Sequence, residues 1–173
     1  MNDVWRMVAR ARVPAGFAVA IVVIVCAAPT WRSWAAGLVV ALCGEGIRIW
    51  AAGHLEKGRE VTRSGPYRWM RHPLYVGSGA IAAGVIAASA SLLVAVVGAL
   101  YMVITIGAAV RTEEAFLRGA FGDTYERYAR SEGEPMPRAF SAERAMRNRE
   151  YRAVAGLLAG FALLAVKVMW RSA

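Results

Sequence analysis

Histidine and cysteine are scarce in this chain: His54 and His72 are its histidines, and Cys26 and Cys43 its cysteines. Neither pair has metal-ligand spacing, so no metal partner is expected. Both cysteines fall inside apolar runs, which argues against a disulfide and leaves them as small packing hydrophobes. No Ser-His-Asp or Cys-His constellation is evident, which removes the usual basis for hydrolysis. Charge is thin as well. Charged residues make up 19% of the chain against 58% hydrophobic ones, with a mean hydropathy of +0.41, outside the range of soluble globular domains. Internal repeats and low-complexity linkers are lacking, so residues 1–173 are expected to form a single transmembrane domain.

What the chain does have is apolar length. Five runs can be marked, at residues 13–28, 34–53, 74–90, 92–110 and 154–170. Each is about 25–30 Å long as a helix at ~1.5 Å per residue, close to the hydrocarbon thickness of a bilayer. The expected fold is all-α, a polytopic membrane protein of about five transmembrane helices. Basic residues are spread unevenly between the runs. Arg6, Arg10 and Arg12 precede the first; Lys57, Arg59, Arg63, Arg68 and Arg71 separate the second from the third; nine arginines from Arg111 to Arg152 separate the fourth from the fifth. By the positive-inside tendency the N-terminus and both long polar segments are cytoplasmic. The net charge of +9 is then mostly topology. No nucleic-acid partner is expected, because the basic residues flank spans instead of forming an aromatic-interleaved patch; anionic lipid is the expected secondary partner. The basic N-terminus, the first run and Ala27-Ala28 have the outline of a signal peptide, and the segment is expected to stay as a span.

The third and fourth runs are joined only by small residues, which predicts a tight helical hairpin. Helix should then continue past Glu113 and Glu114 to about Phe121, break at Gly122 and restart at Asp123, with Pro135 and Pro137 ending the pattern. Ser141 is a candidate cap for an interfacial helix leading into the last span. Glu45 and Arg48, three apart on the second span, are expected to pair with each other or to wall a site. Lys167 is expected to be a snorkelling anchor.

Between the second and third runs lies the stretch SGPYRWMRHPLYVGSG, Ser64 to Gly79. Gly65 and Pro66 mark a turn, and Pro73 suits the first position of a helix, which puts His72 at the N-cap. The amides of Leu74 and Tyr75 are then expected to be open, at the positive end of the helix dipole where anions bind. Tyr67, Trp69 and Tyr75 offer flat faces to a base or an onium group. Glu113 and Glu114 return to the same membrane face, and adjacent helical residues lie ~100° apart, so at most one of the two should face the pocket directly. Taken singly, Trp69, Arg63 and Arg68 read as interfacial anchors, and Arg63→Ala is expected to be nearly silent.

These two blocks, GPYRWMRHPLYVG followed by EEAFLRGAFGDTYERY, resemble the isoprenylcysteine carboxyl methyltransferase and phospholipid methyltransferase families of integral-membrane enzymes. The matching elements are Gly65, Tyr67, Arg71-His72-Pro73, Tyr75, Gly77, the Glu113-Glu114 pair and Phe121-Gly122 with Tyr125 and Tyr128. Residues 54–138 carry the likeness. It implies S-adenosylmethionine as cofactor, bound on the cytoplasmic side, and a lipophilic small-molecule or lipidated acceptor entering from the bilayer. By position, Tyr67, Arg71, His72, Pro73, Tyr75, Gly77, Glu113 and Glu114 become cofactor-site candidates, and Gly77-Ser78-Gly79 looks like the GxG signature of the phospholipid branch. The acceptor is a prenylcysteine-type carboxylate or a lipid headgroup. An amine would require a base, for which Glu114 and His54 are the candidates. Two departures bear on the acceptor: Arg59 stands where the isoprenylcysteine enzymes have histidine, and the last apolar run is additional. The rivals are a nicotinamide-dependent membrane reductase of sterol-reductase type, which would bind NADPH instead, and a non-enzymatic membrane scaffold. The small residues Gly77, Gly79, Ala80 and Gly84 are expected to leave a groove for the acceptor's tail or to serve helix packing.

Overall fold

In the computed structural model, residues 3–172 are described, with side chains from 14 to 171. Seven α-helices and one 3-10 turn make up the regular structure, with no strand among the described residues. The helices are α1 (Asp3–Cys26), α2 (Trp31–Ala52), α3 (Pro73–Ser89), α4 (Leu92–Phe121), α5 (Asp123–Ala129), α6 (Ala142–Arg147) and α7 (Tyr151–Ser172); the turn is Gly65–Arg68. The side chains of Arg6, Arg10 and Arg12 lie outside the described residues.

Each apolar run falls in one helix. Trp31–Ala52, Leu92–Phe121 and Tyr151–Arg171 are long and apolar enough to cross a membrane, with mean hydropathies of 1.5, 2.4 and 2.0, while Pro14–Cys26 and Pro73–Ser89 are shorter apolar helices. Large hydrophobics such as Leu100, Val103, Leu163 and Met169 stay more than half exposed. An apolar surface of that extent needs a lipid or protein cover.

The helix ends follow from local chemistry. Thr30 and Ser33 form a reciprocal capping box at the start of α2, with bonds of 3.1 and 3.0 Å. Ala90, left-handed at φ 47°, stops α3, and Ser91 at once caps α4 by accepting from the Val94 amide. The predicted break at Gly122 is present, with φ of 47°, and so is the Ser141 cap, which accepts from the Arg144 amide.

The closest packing of α3 is on α2 and not on its hairpin partner α4. Gly37 of α2 meets Gly84 of α3, and Gly44 meets Gly77, so the two helices run antiparallel with backbones touching. A Cβ added at Gly44 would sit 2.7 Å from the Gly77 carbonyl and 2.8 Å from the Ile81 amide. Small residues at seven-residue spacing permit that approach, and dispersion between the backbones holds it. The groove expected along Gly77, Ala80 and Gly84 is therefore filled by α2; Gly79, with nothing within 4 Å of an added Cβ, points elsewhere. Leu157, Phe161 and Leu164 of α7 close the core against Ala41 and Ala88, and the Trp34 indole donates to the Phe161 carbonyl at 2.9 Å.

At this end of the bundle the connections are short, and the Ala28 amide donates to the Ser89 carbonyl at 2.7 Å. Lys167 does more than snorkel: its ammonium donates to the carbonyls of Ile24 and Val25 at 2.6 and 2.8 Å. A cation on the last carbonyls of α1 complements the negative end of that helix. The polar connections gather at the opposite end, where the candidate site lies.

Candidate active site

Pro73 opens α3 because its fixed φ and missing N–H cost nothing in a first turn. His72 takes the N-cap position without making a side-chain cap, so its imidazole is free for another partner. Its carbonyl accepts from the Tyr75 and Val76 amides at 3.0 and 3.1 Å, so the Tyr75 amide expected to be open is already used. The ring turns to α4. Nε2 lies 3.1 Å from Oε1 of Glu114, and Nδ1 lies 3.9 Å from Oε2 of Glu113. The ring also rests 5.8 Å from that of Tyr75.

Glu114 is the hub of this group. Besides His72 it meets Arg71 at 3.4 Å and Arg118 at 3.3 Å, with its side chain only 16% exposed against 39% for Glu113. Of the pair, Glu114 faces inward. Arg118 continues to Glu126 at 2.9 Å and lies over the fully buried Tyr125 ring, which ties α5 to the end of α4. The simple helical pairing of Glu114 with Arg118 and the cross-helix pairing with His72 thus occur together, one on each carboxylate oxygen.

Beside this cluster is a small cleft of about 90 Å³ that opens to solvent. Arg63, Tyr67, Trp69 and Arg71 line one side; Tyr128 of α5, with Ser131 and Gly133 of the segment after it, lines the other. The Tyr128 hydroxyl donates to the Tyr67 carbonyl at 2.9 Å, fastening the two walls. Burial, and secondarily the charge of Glu113, holds the Tyr67 phenol above the ordinary tyrosine value. Burial also pushes Tyr128 up to about 12. Both phenols therefore stay protonated as hydrogen-bond donors.

His54 sits apart from Glu114. It is 5% exposed, with Nδ1 3.2 Å from the Ser64 hydroxyl and its ring 6.4 Å from that of Phe140. Gly65, at φ 55°, turns the chain against this ring, and an added Cβ would lie 2.5 Å from it. Around it the loop after α2 is laced to the segment before α7. Arg138 binds Glu60 through two bonds of 2.6 and 2.8 Å, Arg144 reaches Glu56 at 2.8 Å, and Asn148 donates to the Ala52 and Leu55 carbonyls.

Burial first, then Arg144 and Arg138, lowers the His54 pKa below its ordinary 6.5. The unfolded chain therefore binds more protons than the folded one as pH drops through that value, and stability present above it is lost below. Thermal unfolding in detergent is expected at a lower midpoint near pH 5.5 than near pH 7.5, at about one unit on either side of 6.5. His54→Gln should shrink the difference; an undiminished difference would assign it to other groups.

The expected pairing of Glu45 with Arg48 is present, and Arg48 has a closer partner besides. Its closest carboxylate is Glu150, at 2.6 Å, with Glu45 at 3.8 Å, and it also donates to Ser78 of α3. Arg48 thus joins α2, α3 and the start of α7. Gly77 belongs to this junction, its added Cβ meeting the Arg48 stem and the Gly44 carbonyl. Among the sequence candidates, the structure brings together Arg71, His72, Pro73, Tyr75, Glu113 and Glu114, places Tyr67 in the adjoining cleft, and leaves Gly77 of α3 packed against α2 and His54 beneath the Gly65 turn. Sequence reasoning missed Arg63, Ser131 and Gly133 as cleft walls. The signal available was the helix-breaking Gly133 and Pro135, which fold the tail back. Among the described residues no group of three or more His, Cys, Asp or Glu side chains is placed to hold a metal.

An all-helical membrane bundle with a charged cluster at one polar end defines the class, and sequence comparison gives the family. The chain belongs to the phospholipid methyltransferase family, whose model matches residues 18–124; the family is part of the isoprenylcysteine and phospholipid group of membrane methyltransferases. The chain is also similar to the cobalt-zinc-cadmium resistance protein CzcN of Cupriavidus metallidurans, with 36% identity over 106 residues, 57% of this chain and 49% of that protein. It spans about half the length of that curated relative. No solved structure matches. Membership and the apolar helices together make it an integral membrane protein.

Proposed function

We propose that the protein is an S-adenosylmethionine-dependent methyltransferase acting on a lipophilic acceptor, a prenylcysteine-type carboxylate or a lipid headgroup, at the cytoplasmic membrane face. On this reading α1 to α4 and α7 all cross the bilayer, and residues 54–138 are the methyltransferase core of a single domain. The observation that carries it is the convergence of Arg71, His72 and Glu114 beside the cleft, in a chain of this family. The residues suit that cofactor. Tyr67, Trp69 and Tyr128 supply aromatic faces for the adenine, the arginines a counter-charge for a carboxylate, and Glu113, 39% exposed, an acceptor for ribose hydroxyls or an attraction for a cation.

When bound, S-adenosylmethionine supplies an electrophilic methyl group, the S–CH₃ bond breaking as the acceptor–CH₃ bond forms and its electron pair remaining on sulfur. The protein's task is alignment and the exclusion of water. His72, held between Glu113 and Glu114, fixes the N-terminal turn of α3 against the end of α4. Pro73 sets where that turn begins, and Tyr75 braces the imidazole. Gly77 lets α2 approach behind them. Against the cost of burial, the hydrogen bond with His72 and then the charge of Arg71 hold the Glu114 carboxyl below its ordinary value, and Arg71 helps to orient it. A carboxylate acceptor needs no base. For an amine acceptor Glu114 is the better-placed proton acceptor; His54, kept neutral by burial, is the alternative.

The test uses purified protein reconstituted with membrane lipid extract into vesicles of known orientation, supplied externally with labelled S-adenosylmethionine. Label should pass to a lipid-phase product only where the polar end faces outward. Absence of labelled product in both orientations would defeat the enzyme reading, and transfer only in the opposite orientation would defeat the cytoplasmic placement.

A further inference from the structure

The three arginines of the cleft are not equivalent. Arg71 is paired with Glu114 at 3.4 Å, and Arg68 lies over the Trp69 ring at 5.9 Å. Arg63 has neither kind of partner: it forms no ion pair or side-chain hydrogen bond among the described residues, and its Nε is buried without an acceptor. No carboxylate lines the cleft. Buried N–H groups are nearly always paired, and here the whole guanidinium lacks an acceptor, the Nε within the wall and the terminal nitrogens beside the cleft, which leaves a place there for a missing acceptor.

The position of Arg63 is well held. Its carbonyl accepts from the Met136 amide at 3.2 Å, tying the strap after α5 to the loop. Opposite its stem stands Gly133, where an added Cβ would come within 3.1 Å of the Arg63 Cδ. The acceptor must be an anion, since the cleft offers arginines and no counter-charge of its own. With the Nε closed off from solvent, a ligand in the cleft meets the two terminal nitrogens, and a planar two-oxygen group matches that edge of a guanidinium, which donates two parallel N–H bonds. Exposed Arg68, Trp69 and Arg71 rim the cleft, and two charged side chains of the three favour a ligand arriving from water over one carried on acyl chains.

Resting on the methyltransferase reading above, we infer that Arg63 binds the α-carboxylate at the amino-acid end of the cofactor, while Arg71 serves chiefly to position Glu114. Arg63 is then a specificity residue for the cofactor, and the near-silence expected for its alanine variant gives way to a loss of binding.

The test is calorimetric binding of S-adenosylhomocysteine and of 5′-methylthioadenosine, which shares the thioether nucleoside but lacks the carboxylate, to wild type, Arg63→Gln and Arg63→Lys. Arg63→Gln should lose on the order of 10–150-fold for S-adenosylhomocysteine, the range of a charge-assisted contact, and change methylthioadenosine binding by less than about 2-fold. Arg63→Lys should fall between, since it keeps the charge and loses the fork. Equal losses for both compounds would make the residue structural, and an unchanged ratio would leave it no part in carboxylate recognition; either result overturns the inference. So would loss of binding to anionic phospholipid vesicles with the wild-type ratio intact, which would assign the edge to a headgroup phosphate. Wild-type protein that binds neither nucleoside would remove the cofactor reading itself, a failure separable from that of Arg63 alone.

Discussion

Glu114→Gln is expected to weaken S-adenosylmethionine binding by on the order of 10–150-fold, equivalent to about 1.5–3 kcal/mol, while the detergent-solubilised protein stays folded. The size follows from the number of groups that the carboxylate organises. It is the shared partner of His72, Arg71 and Arg118, and its loss as a charge leaves two guanidinium groups and an imidazole without their common acceptor. The amide can still accept one hydrogen bond, so the side chain should remain in place and the backbone should not move. Glu113→Gln should do less, because Glu113 lies 3.9 Å from His72 and is more exposed. His72→Ala should resemble Glu114→Gln, since it removes the side chain that joins α3 to α4. Calorimetry on the three folded variants decides the matter. Wild-type affinity in Glu114→Gln and His72→Ala together would reduce the cluster to a helix-end staple, with the cofactor held elsewhere.

The parts of this structure legible in the sequence were those governed by local rules. The apolar runs became helices because length and hydropathy act over a single segment, and the stops at Ser89 and Phe121 and the start after Ser141 follow from residues within one turn of the boundary. Arg71-His72-Pro73 and Glu113-Glu114 were legible as motifs, and the hairpin connection of two residues brings them together. What local reading missed depends on which helix packs on which. Gly77 and Gly84 look the same in sequence whether they face lipid, a ligand or another helix; only the matching glycines of α2, Gly37 and Gly44, settle the question. Glu45 and Arg48 have perfect intrahelical spacing, yet Arg48 prefers Glu150, 102 residues away, because that carboxylate is brought closer by the α7 start. Arg63 looked like one more interfacial arginine, and its orphaned Nε appears only when the tail folds across it.

The α2–α3 contact also changes what a test of lateral substrate entry must use. Gly84→Leu is expected to destabilise the bundle outright, not to tune acceptor affinity. A Cβ at that position would lie 2.5 Å from the Gly37 carbonyl oxygen and 2.7 Å from the Ala41 amide nitrogen, backbone atoms that cannot rotate away. Overpacking typically costs ~1–3 kcal/mol, and contact with a partner helix's backbone belongs at or above the upper end of that range. The variant should therefore show a sharply lowered unfolding temperature and loss of S-adenosylmethionine binding and acceptor turnover alike. Gly79→Leu is the informative counterpart. Nothing lies within 4 Å of its added Cβ, so the fold should tolerate it with an unfolding temperature close to wild type. If acceptors arrive along the open side of α3, a leucine there should raise the apparent KM for a lipidic acceptor and leave cofactor affinity unchanged. The dependence on tail length should be shallow in membranes, because a tail moving from lipid to a protein groove gains little of the ~0.8 kcal/mol per CH₂ that it would gain on leaving water. Gly84→Leu unfolding at the wild-type temperature would contradict the helix interface, whereas Gly79→Leu with wild-type KM for lipidic and water-soluble acceptors alike would remove the open face of α3 as the route of entry.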